Sequence, residues 1–586
     1  MSSASDANSA ELIRTPFWFY LKKHRVASSL GLTCLFFTNA LDAIIPWMVG
    51  RTLDQITANA SLPVIGGIVG RIFIIIFFLS IFRFLWRFLW ANFHHTVAED
   101  LRNRLFSRMA ILGPTFFRTR KIGQLITLIS NDVNSFRMGI GPGLLVLFDG
   151  ISQVVLILPV MISISWTWTW QTLVLMPFVP FVVNAILKYI HRGYNSRQEK
   201  FGDMSGSAQE IISGIRVIKS FAQEKNQTTQ FNQHSLQFTL ACDRVAFWDA
   251  LFGPSLELPV ALGCVLLLLL GTDQVMSGAV TLGGFFAFYQ YIQRMIWPMS
   301  AIGVGLGNIQ ESRAAFVRIQ EVLEYPPDVA DNGLLQVSEL ETLEVRNLSF
   351  SYPGFPRKVL DGISFVLRRG ESLGIVGMTG AGKTTLIDLL ARQYPVPPDT
   401  ILVNGISVEK ISLQSLRELI GMVPQEAFLF SRKVSENLAL GLDLWDLEDV
   451  VGAAGQVRLD QEIETWPGQY DALVGEQGVN LSGGQKQRMT LARALIRHAG
   501  LVILDDALSA VDAKTEESIL NHLRNELRRT TSIVVSHRIA IVSTFDKIIV
   551  LNSGRMESLG RHQDLILTSP TYQRLHQMQM EGGPSA

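Results

Sequence analysis

Two adjacent acids at the end of an apolar run are the first residues in this sequence that could do chemistry. In the stretch LVILDD, four apolar residues lead directly into Asp505 and Asp506. A run of this kind is typical of a strand covered on both faces, and open α/β sheets bind their ligands at the carboxyl ends of such strands. The pair suggests a metal and a reacting water, although a strand end without chemistry fits this stretch equally well.

A glycine-rich stretch upstream favours the chemical interpretation. The sequence GIVGMTGAGKTTL fits the phosphate-binding pattern G-x-x-x-x-G-K-[ST], follows an apolar strand and opens a helix. We expect its backbone N–H groups to surround phosphate oxygens, Lys383 to place a charge at the terminal phosphates and Thr384 to ligate Mg²⁺. The predicted nucleotide-binding residues of this phosphate loop are Gly377, Met378, Thr379, Gly380, Ala381, Gly382, Lys383, Thr384 and Thr385.

With a phosphate loop present, the two acids acquire separate predicted roles. Asp505 becomes a ligand of Mg²⁺ through a water molecule, and Asp506 stands where a base would orient the attacking water. The sequence therefore predicts a nucleotide site in which Asp506 is a catalytic residue.

Further stretches resemble motifs of the ABC transporter family. LSGGQ, from Leu481, resembles the family's signature, in which Ser482 caps a helix and the amides of Gly483 and Gly484 present a positive dipole to a γ-phosphate, with Gln485 completing the motif. In that family the signature contacts ATP that is bound by the opposing subunit. The resemblance therefore implies that one chain cannot complete a site.

The remaining motifs carry roles that the resemblance implies. VVSHR contains His537, similar to the switch histidine that contacts the γ-phosphate, and MVPQ contains Gln425, similar to the glutamine that reaches the metal. FSYPG contains Tyr352, similar to the aromatic residue that stacks on adenine, and the stretch from Ser509 to Asp512 resembles the loop between the two ATP sites. Taken singly, His537 or Tyr352 is more often a packed residue than a ligand. The order and spacing of the whole set favour an ATP site.

The composition indicates that part of the chain lies in lipid. A chain of 586 residues is too long to fold around a single hydrophobic core. Hydrophobic residues make up 48% of it and charged residues only 17%, which is more apolar than a soluble protein of this size needs. Basic and acidic residues balance at 51 each, so net charge gives no argument for nucleic acid. Cys34, Cys242 and Cys264 lie in or beside apolar segments and are interpreted as small hydrophobic residues. The polar start predicts no cleaved signal peptide.

The first part of the chain contains six apolar stretches, each long enough to cross a hydrocarbon core of roughly 30 Å. The predicted spans are about 26–50, 64–92, 138–165, 168–189, 246–271 and 279–307, and an interfacial helix is predicted at 11–25. The connections 93–137 and 188–245 are rich in Lys and Arg, which places them in the cytoplasm by the positive-inside rule. We therefore predict a transmembrane domain over 1–325, a linker over 326–342 and an ABC nucleotide-binding domain over 343–580.

This arrangement resembles a half-transporter of the ABC exporters with a type IV membrane fold. The expected fold class is multidomain, with a six-helix α-helical transmembrane domain followed by an α/β P-loop ABC nucleotide-binding domain on the cytoplasmic side of the inner (plasma) membrane. The resemblance also implies that FFRTRKIGQLITLISNDV and EIISGIRVIKSFAQE are coupling segments. In the first of these, Leu128 departs from the Arg that many relatives have.

The expected function is ATP-driven export of hydrophobic or amphiphilic compounds, drug-like or lipid-like, by two paired half-transporters. ABC exporters that hydrolyse ATP efficiently carry Glu after the first acid. Asp506 therefore resembles the degenerate site of bacterial heterodimeric multidrug exporters of the MdlA type, whose partner chain has the Glu. A homodimeric lipid or peptide exporter and an ATP-gated channel or regulatory subunit stay open as alternatives. A soluble ATPase acting on DNA does not fit the spans.

Acidic residues near the predicted spans bear on the substrate. They are Asp42, Asp149, Asp249 and Glu257. Each would cost roughly 2.5–3.5 kcal/mol at the bilayer centre on insertion scales, so the deep ones should face a cavity or a partner. Neutralisation by Arg294 or Arg83 is at least as consistent with the sequence as a cation-binding role. The aromatic run from Phe285 to Trp297 suits amphiphilic ligands, but it also suits plain helix packing.

Overall fold

The computed structural model describes residues 12, 14–174, 179–475, 478, 480–507, 519 and 530–581. The chain divides into two compact units. The first comprises Met1–Ala110 and Ile122–Tyr325, and the second comprises Ile111–Lys121 and Pro326–Ala586. Each unit has its own apolar core.

The first unit is built from helices. Their bounds are Pro16–Lys23, Arg25–Thr57, Leu62–Ile111, Ile122–Thr127, Val133–Met138, Leu144–Ile164, Trp166–Leu173, Val179–Ser213, Ile215–Ser220, Glu224–Met276, Leu282–Arg294 and Ile296–Glu324, with π-helical turns at Leu128–Asp132 and Gly139–Gly143. Within the described part of the chain, four helices are long and apolar enough to cross a membrane. Three of them are Arg25–Thr57, Leu62–Ile111 and Glu224–Met276. The fourth is the continuous helical stretch Ile122–Ile164, which includes the two π-helical turns.

The predicted number of six spans is therefore not confirmed. The predicted span 279–307 is divided at Met295 into Leu282–Arg294 and Ile296–Glu324. Pro298 accounts for the break, because in a continuous helix its ring would clash with the carbonyl four residues earlier.

The predicted span 168–189 also falls on two helices. These are Trp166–Leu173 and Val179–Ser213, and residues 175–178 lie outside the described part of the chain. Ser165 begins the first of them by accepting a hydrogen bond from the N–H of Trp168 at 3.3 Å.

The predicted interfacial helix 11–25 contains the regular helix Pro16–Lys23. Tyr20 is fully buried on it, and its hydroxyl donates a hydrogen bond to Asp100 at 2.8 Å. Lys23 forms an ion pair with the same carboxylate at 2.8 Å. These contacts hold the helix against the long helix that carries Asp100.

Among the described residues, ten strands of the second unit form two sheets. They are β1 (Thr342–Phe350), β2 (Leu360–Arg368), β3 (Ser372–Gly377), β4 (Ile401–Val403), β5 (Ile406–Ser407), β6 (Ile420–Val423), β7 (Leu501–Asp505), β8 (Thr531–Val535), β9 (Lys547–Asn552) and β10 (Arg555–Gly560). The smaller sheet is antiparallel, with the order β2-β1-β4-β5. The larger has the order β10-β9-β3-β8-β7-β6, in which all strands but β10 run parallel.

The second unit also contains short helices, before, between and after these strands. They are Pro114–Thr119, Lys383–Leu390, Leu413–Glu418, Val434–Leu438, Leu447–Gln456, Asp460–Glu464, Gly483–Leu495, Ile539–Val542, His562–Thr568 and Pro570–Glu581, with a 3₁₀ turn at Gln469–Asp471.

The central parallel strands are covered on both faces. Every residue of β3, β7 and β8 is buried. Along β7 and β8, Ile503 and Ile533 pack in one apolar cluster, whereas Leu504 and Val534 pack in the other. The prediction of a covered strand before Asp505 is therefore confirmed. Because these strands run parallel, the residues that follow them lie at the same edge of the sheet.

The C-terminal helix Pro570–Glu581 is held by one carboxylate. Glu557 on β10 accepts hydrogen bonds from the Ser569 hydroxyl at 2.7 Å and from the N–H of Thr571 at 3.1 Å, and Asn552 donates to it at 3.0 Å. Burial alone would raise the pKa of Glu557, but these hydrogen bonds outweigh burial and lower it from 4.5 to about 2. The stabilisation is therefore present above pH 4.5 and is lost as the pH falls towards 2.

We expect Glu557→Gln to loosen this helix, because an amide cannot accept all of these hydrogen bonds. Losing about 1 kcal/mol of local stability should make the amides of Pro570–Glu581 exchange about fivefold faster. Hydrogen exchange of the full chain at neutral pH measures this. Glu448→Gln is the matched control, since Glu448 is exposed in the first turn of Leu447–Gln456. Equal exchange of the C-terminal helix in both variants would contradict the assignment.

Candidate nucleotide site

The phosphate loop connects β3 to the helix Lys383–Leu390 in a conformation that requires glycine. Gly380 and Gly382 have φ angles of 79° and 97°. A Cβ at Gly382 would lie 2.8 Å from Leu360 Cδ2 and 3.0 Å from Val359 O, so both the backbone and the available space exclude a side chain. The loop therefore turns sharply into the helix, whose N-terminus favours an anion.

Lys383 folds back along the phosphate loop. The residue is 7% exposed, and its Nζ donates to Gly377 O at 2.8 Å and to Met378 O at 3.1 Å. Burial lowers the pKa of the Lys383 ammonium, and the charges of Asp505 and Asp506 oppose that shift. The ammonium is thus held at the loop where the sequence predicts the terminal phosphates.

Asp505 is the last residue of β7 and is only 2% exposed. Burial raises the pKa of its carboxyl and Asp506 raises it further, while a hydrogen bond from Thr384 and the charges of Lys383 and His537 lower it. Its Oδ2 is buried and has no hydrogen-bond partner among the described residues. A buried, unsatisfied carboxylate oxygen beside a threonine hydroxyl is a set of groups that a hard divalent cation satisfies.

These residues therefore fit Mg²⁺. Within the described part of the chain, no group of three or more His, Cys, Asp or Glu side chains could hold a metal by itself. Mg²⁺ is typically bound by one or two carboxylates together with substrate phosphates. Few protein ligands are therefore sufficient for this cation.

Asp506 adopts a left-handed backbone conformation with φ of 47°. Its N–H donates to Val535 O at 3.0 Å, which ties the residue to β8 immediately after Asp505. Asp is one of the few residue types that enter this region at low cost. The chain therefore leaves the strand direction at this residue, and the carboxylate stays at the sheet edge.

Gln425 and His537 follow the two strands that flank β7. Both side chains are exposed. The carbonyl of His537 accepts a hydrogen bond from Gln579 Nε2, and the N–H of Ile539 donates to Gln579 Oε1 at 2.8 Å. Gln579 on the C-terminal helix therefore fixes the backbone that carries the His537 imidazole.

Tyr352 packs beside the phosphate-loop helix. Its hydroxyl shares a hydrogen bond with Thr385 Oγ1 at 2.9 Å. The ring makes T-shaped contacts with Phe350 and Tyr394, each with centroids 5.2 Å apart. These contacts give the ring a defined orientation, as a stacking platform requires.

The signature begins the helix Gly483–Leu495 with a complete capping box. Ser482 Oγ accepts from the N–H of Gln485 at 3.2 Å, and Gln485 Oε1 accepts from the N–H of Ser482 at 2.9 Å. Gln485 Nε2 also donates to Glu462 at 2.9 Å, and Glu462 forms an ion pair with the buried Arg488 at 2.6 Å. The predicted cap is confirmed, and this helix end is suited to an anion.

Comparisons with known proteins agree with this geometry. Residues 29–299 match the family model for the ABC transporter transmembrane region, and residues 360–509 match the model for the ABC transporter ATP-binding domain, described as "ABC transporter". The chain is 32% identical over 577 residues to the "Probable multidrug resistance ABC transporter ATP-binding/permease protein YheI" of Bacillus subtilis, covering 97% of this chain and 98% of that protein. The chain belongs to the ABC transporter family. It is a transport ATPase and a multi-pass membrane protein with a cytoplasmic ATP-binding domain.

Two further proteins resemble this ABC transporter. It is 32% identical over 490 residues to the "Multidrug resistance-like ATP-binding protein MdlA" of Escherichia coli, covering 83% of this chain and 82% of that protein. A solved structure of a bacterial Atm1-family ABC exporter with ATP bound superposes with a TM-score of 0.77 at 24% identity, over 97% of this chain and 99% of that one. The predicted order of a transmembrane domain followed by an α/β nucleotide-binding domain is confirmed.

The structure of this ABC transporter brings many predicted site residues to one edge of the larger sheet. The phosphate loop, Gln425, Asp505 with Asp506, and His537 follow β3, β6, β7 and β8 in that order. The signature residues begin a separate helix, where the partners of Ser482 and Gln485 are each other and Glu462. Ser509 and Asp512 lie outside the described residues. The roles assigned to individual residues stay predictions.

Three residues near these groups were not predicted from the sequence. Gln579 binds the backbone at His537 from 42 residues away, and Glu462 binds Gln485 from 23 residues away. Asp388 lies on the phosphate-loop helix, where burial and the charge of Asp505 raise its pKa to about 6. None of these residues belongs to a local motif, so only the folded chain reveals them.

We expect Lys383→Ala to weaken ATP binding to the full-length chain by at least about 10²-fold, because charge-assisted bonds to the terminal phosphates contribute about 1.5–3 kcal/mol each. Equilibrium binding of ATP and of magnesium tripolyphosphate should fall together, since the lost contacts involve phosphates. Lys410→Ala, which removes an exposed lysine of the same unit, is the control. Unchanged ATP binding by Lys383→Ala would show that the phosphate loop is wrongly assigned.

Proposed function

We propose that this ABC transporter is one half of an ATP-driven exporter of hydrophobic or amphiphilic compounds. One observation carries the proposal: a single chain joins helices that are long and apolar enough to cross a membrane to a sheet edge with a phosphate loop and two acids. Relatives that match most of its length are named as multidrug resistance proteins, which supports drug-like substrates.

In this proposal the described residues have separate roles in binding and hydrolysing ATP. The phosphate loop binds the phosphates through its amides and Lys383. Thr384, Gln425 and Asp505 would hold Mg²⁺, which neutralises charge on the β- and γ-phosphates when it is bound. Asp506 orients the attacking water by accepting its hydrogen bond, and its place at the end of β7 keeps it beside Asp505.

A second half-transporter completes each site in the same proposal. Its signature helix presents an N-terminus to the γ-phosphate, as the capped helix of this chain does for the partner's site. ATP then favours the state in which the two nucleotide-binding domains are closed, and hydrolysis removes that preference. Transport follows as a population shift between inward-facing and outward-facing states.

We propose a cavity of about 460 Å³ in the first unit as the substrate site. Its size falls in the usual range for small-molecule sites, about 300–1,000 Å³. Ile157, Phe252 and Ile296 contribute apolar surface, and Gln153 and Gln293 contribute amides. A lining of this mixed kind suits an amphiphile that has one or a few hydrogen-bonding groups.

The acids beside this cavity are already satisfied. Asp42 forms an ion pair with Arg294, one of the two cations expected to neutralise these acids. Asp149 accepts hydrogen bonds from Asn39 Nδ2 at 2.8 Å and from Trp297 Nε1 at 2.6 Å. A substrate therefore meets a neutral pair in place of an isolated acid, and binding requires no positive charge on the substrate.

We expect Asp42→Asn to destabilise the transporter and the double variant Asp42→Asn with Arg294→Gln to restore it. The single change leaves Arg294 unpaired, and an unpaired charge costs roughly 2.5–3.5 kcal/mol at the bilayer centre on insertion scales. Thermal unfolding of the purified protein measures stability. ATP-dependent uptake of one cationic and one neutral amphiphilic dye into inverted vesicles, from cells that contain both half-transporters, measures transport.

The double variant should take up both dyes. Asp273→Asn, at an exposed acid near the end of Glu224–Met276, is the control. Loss of cationic dye uptake alone, without recovery in the double variant, would support an acidic substrate site. If the wild type accumulates neither dye but shows an ATP-dependent ion conductance, an ATP-gated channel replaces the exporter.

We further propose that the partner is a different chain. The Asp506 carboxylate is one methylene shorter than that of Glu, and a withdrawal of about 1 Å from the attacking water can lower the rate on the order of 10²-fold. The signature of this chain, in contrast, has a complete capping box supported by Glu462. A short acid combined with an intact signature suits a heterodimer in which the partner's phosphate loop and Glu form the faster site.

We expect the chain alone to hydrolyse ATP on the order of 10²-fold more slowly than the heterodimer, because its own acid is withdrawn from the water. In the heterodimer, Asp506→Asn should change the ATPase rate little, whereas Glu→Gln at the matching position of the companion should stop turnover. Steady-state ATPase assays of the chain and of the pair measure this. Rapid ATPase from the chain alone that is lost on Asp506→Asn would favour a homodimer.

A further inference from the structure

The short helix Pro114–Thr119 belongs to the second unit, although it lies early in the sequence. Phe116 anchors it, since this side chain is fully buried. The N–H of Thr115 donates to Asp328 Oδ2 at 2.8 Å. A Cβ at Gly113 would lie only 2.3 Å from the same Asp328 oxygen, so the chain and this carboxylate are in close contact. The helix therefore has a defined position beside the nucleotide-binding residues of its own unit.

This position places the guanidinium of Arg118 over the ring of Tyr352. The Cζ atom of Arg118 lies 4.9 Å from the centre of the Tyr352 ring, over its face. Arg118 Nη1 also donates to the Tyr394 hydroxyl at 3.2 Å. Tyr352 is at the same time fixed from the side by Thr385, through the hydrogen bond between their hydroxyls. Arg118 therefore covers a ring whose orientation the phosphate-loop helix determines.

A cavity of about 600 Å³ opens at the same place. Arg118 and Thr115 line one part of it, and Tyr352, Pro353 and Val359 line another. The Thr115 hydroxyl is buried and has no hydrogen-bond partner among the described residues. The cavity combines an aromatic face with polar groups that can donate or accept, and its volume is in the range of small-molecule sites.

We propose that Arg118 competes with the purine base of the nucleotide for the face of Tyr352. The proposal rests on the proposed function, in which Tyr352 is the platform for adenine. A guanidinium and a purine are both flat, and both bind to the face of a phenol ring, but one face holds only one of them. ATP that stacks there displaces Arg118 from Tyr352 and breaks its bond to Tyr394.

This competition lowers the apparent affinity of the chain for ATP. A cation–π contact at an exposed site is weak enough to be displaced and strong enough to reduce apparent affinity about two- to fivefold. Because the helix Pro114–Thr119 begins three residues after the long helix Leu62–Ile111 ends, the displaced residue lies close in sequence to a candidate membrane span.

Equilibrium binding to the purified full-length chain tests the proposal. Arg118→Ala should bind ATP about two- to fivefold more tightly than the wild type, because the competing cation is gone. Its affinity for magnesium tripolyphosphate, which has no base, should not change. Arg118→Lys keeps the charge but loses the flat guanidinium, so it should fall between the two. Arg357→Ala removes another cation from the same cavity and should not tighten ATP binding.

Double variants test whether the effect of Arg118 depends on the ring of Tyr352. In a Tyr352→Ala background, Arg118→Ala should no longer tighten ATP binding, whereas in Tyr352→Phe, which keeps the face, the effect should persist. Weaker ATP binding by Arg118→Ala would show that the guanidinium contacts the base, and unchanged binding would show that the base does not use this face. An equal gain for tripolyphosphate would assign the effect to charge alone. Each of these three results overturns the competition.

Failure of the proposed function gives a different result. If ATP binding does not depend on Lys383, the phosphate loop is not the nucleotide site and the platform has no role in nucleotide binding. If ATP binding requires Lys383 but is indifferent to Arg118, the exporter proposal stands and the competition alone fails.

Discussion

The parallel pairing of β3, β8, β7 and β6 is the constraint on which the nucleotide site depends. Because the four strands run in the same direction and are neighbours, their carboxyl ends lie at one edge of the sheet. Segments separated by more than a hundred residues in sequence, such as the phosphate loop and Asp505, are thereby brought together. The cross-strand pair Asp505 and Val535 fixes where β7 ends relative to β8. A register slip at this pair would move the acid away from Thr384 and Lys383.

The same burial that stabilises these strands gives the site its electrostatics. With apolar clusters on both faces, Asp505 is almost inaccessible, and burial raises the pKa of its carboxyl. Lys383 is buried as well, and burial lowers the pKa of its ammonium. Each group makes the charged form of the other less costly, and an unsatisfied oxygen of Asp505 stays available to a cation. These charges fit a polyanion together with a divalent cation, which is what the proposed function requires.

The sequence was most informative where function depends on contiguous residues. The phosphate loop, the covered strand before Asp505 and the helix cap at Ser482 could each be predicted, because strand, turn and cap are local properties. Glu557, Gln579 and Arg118 act through partners far away in sequence, so no local pattern indicates them. Composition indicated one apolar segment over 279–307, and the structure has two helices there that meet at Met295, three residues before Pro298.

The backbone turn that carries Asp506 bears on the proposed slow site as much as the missing methylene does. Its backbone lies in the left-handed region, where Asp is tolerated far better than most residues, and its N–H is bound to Val535 O. The short side chain and the unusual backbone are therefore compatible with each other. A longer side chain at this position would extend the reach of the carboxylate, but it would also favour a different φ and would pull against the bond to β8. In the proposed heterodimer, the slower hydrolysis at this site therefore depends on the whole turn after β7 as well as on the length of the Asp506 side chain.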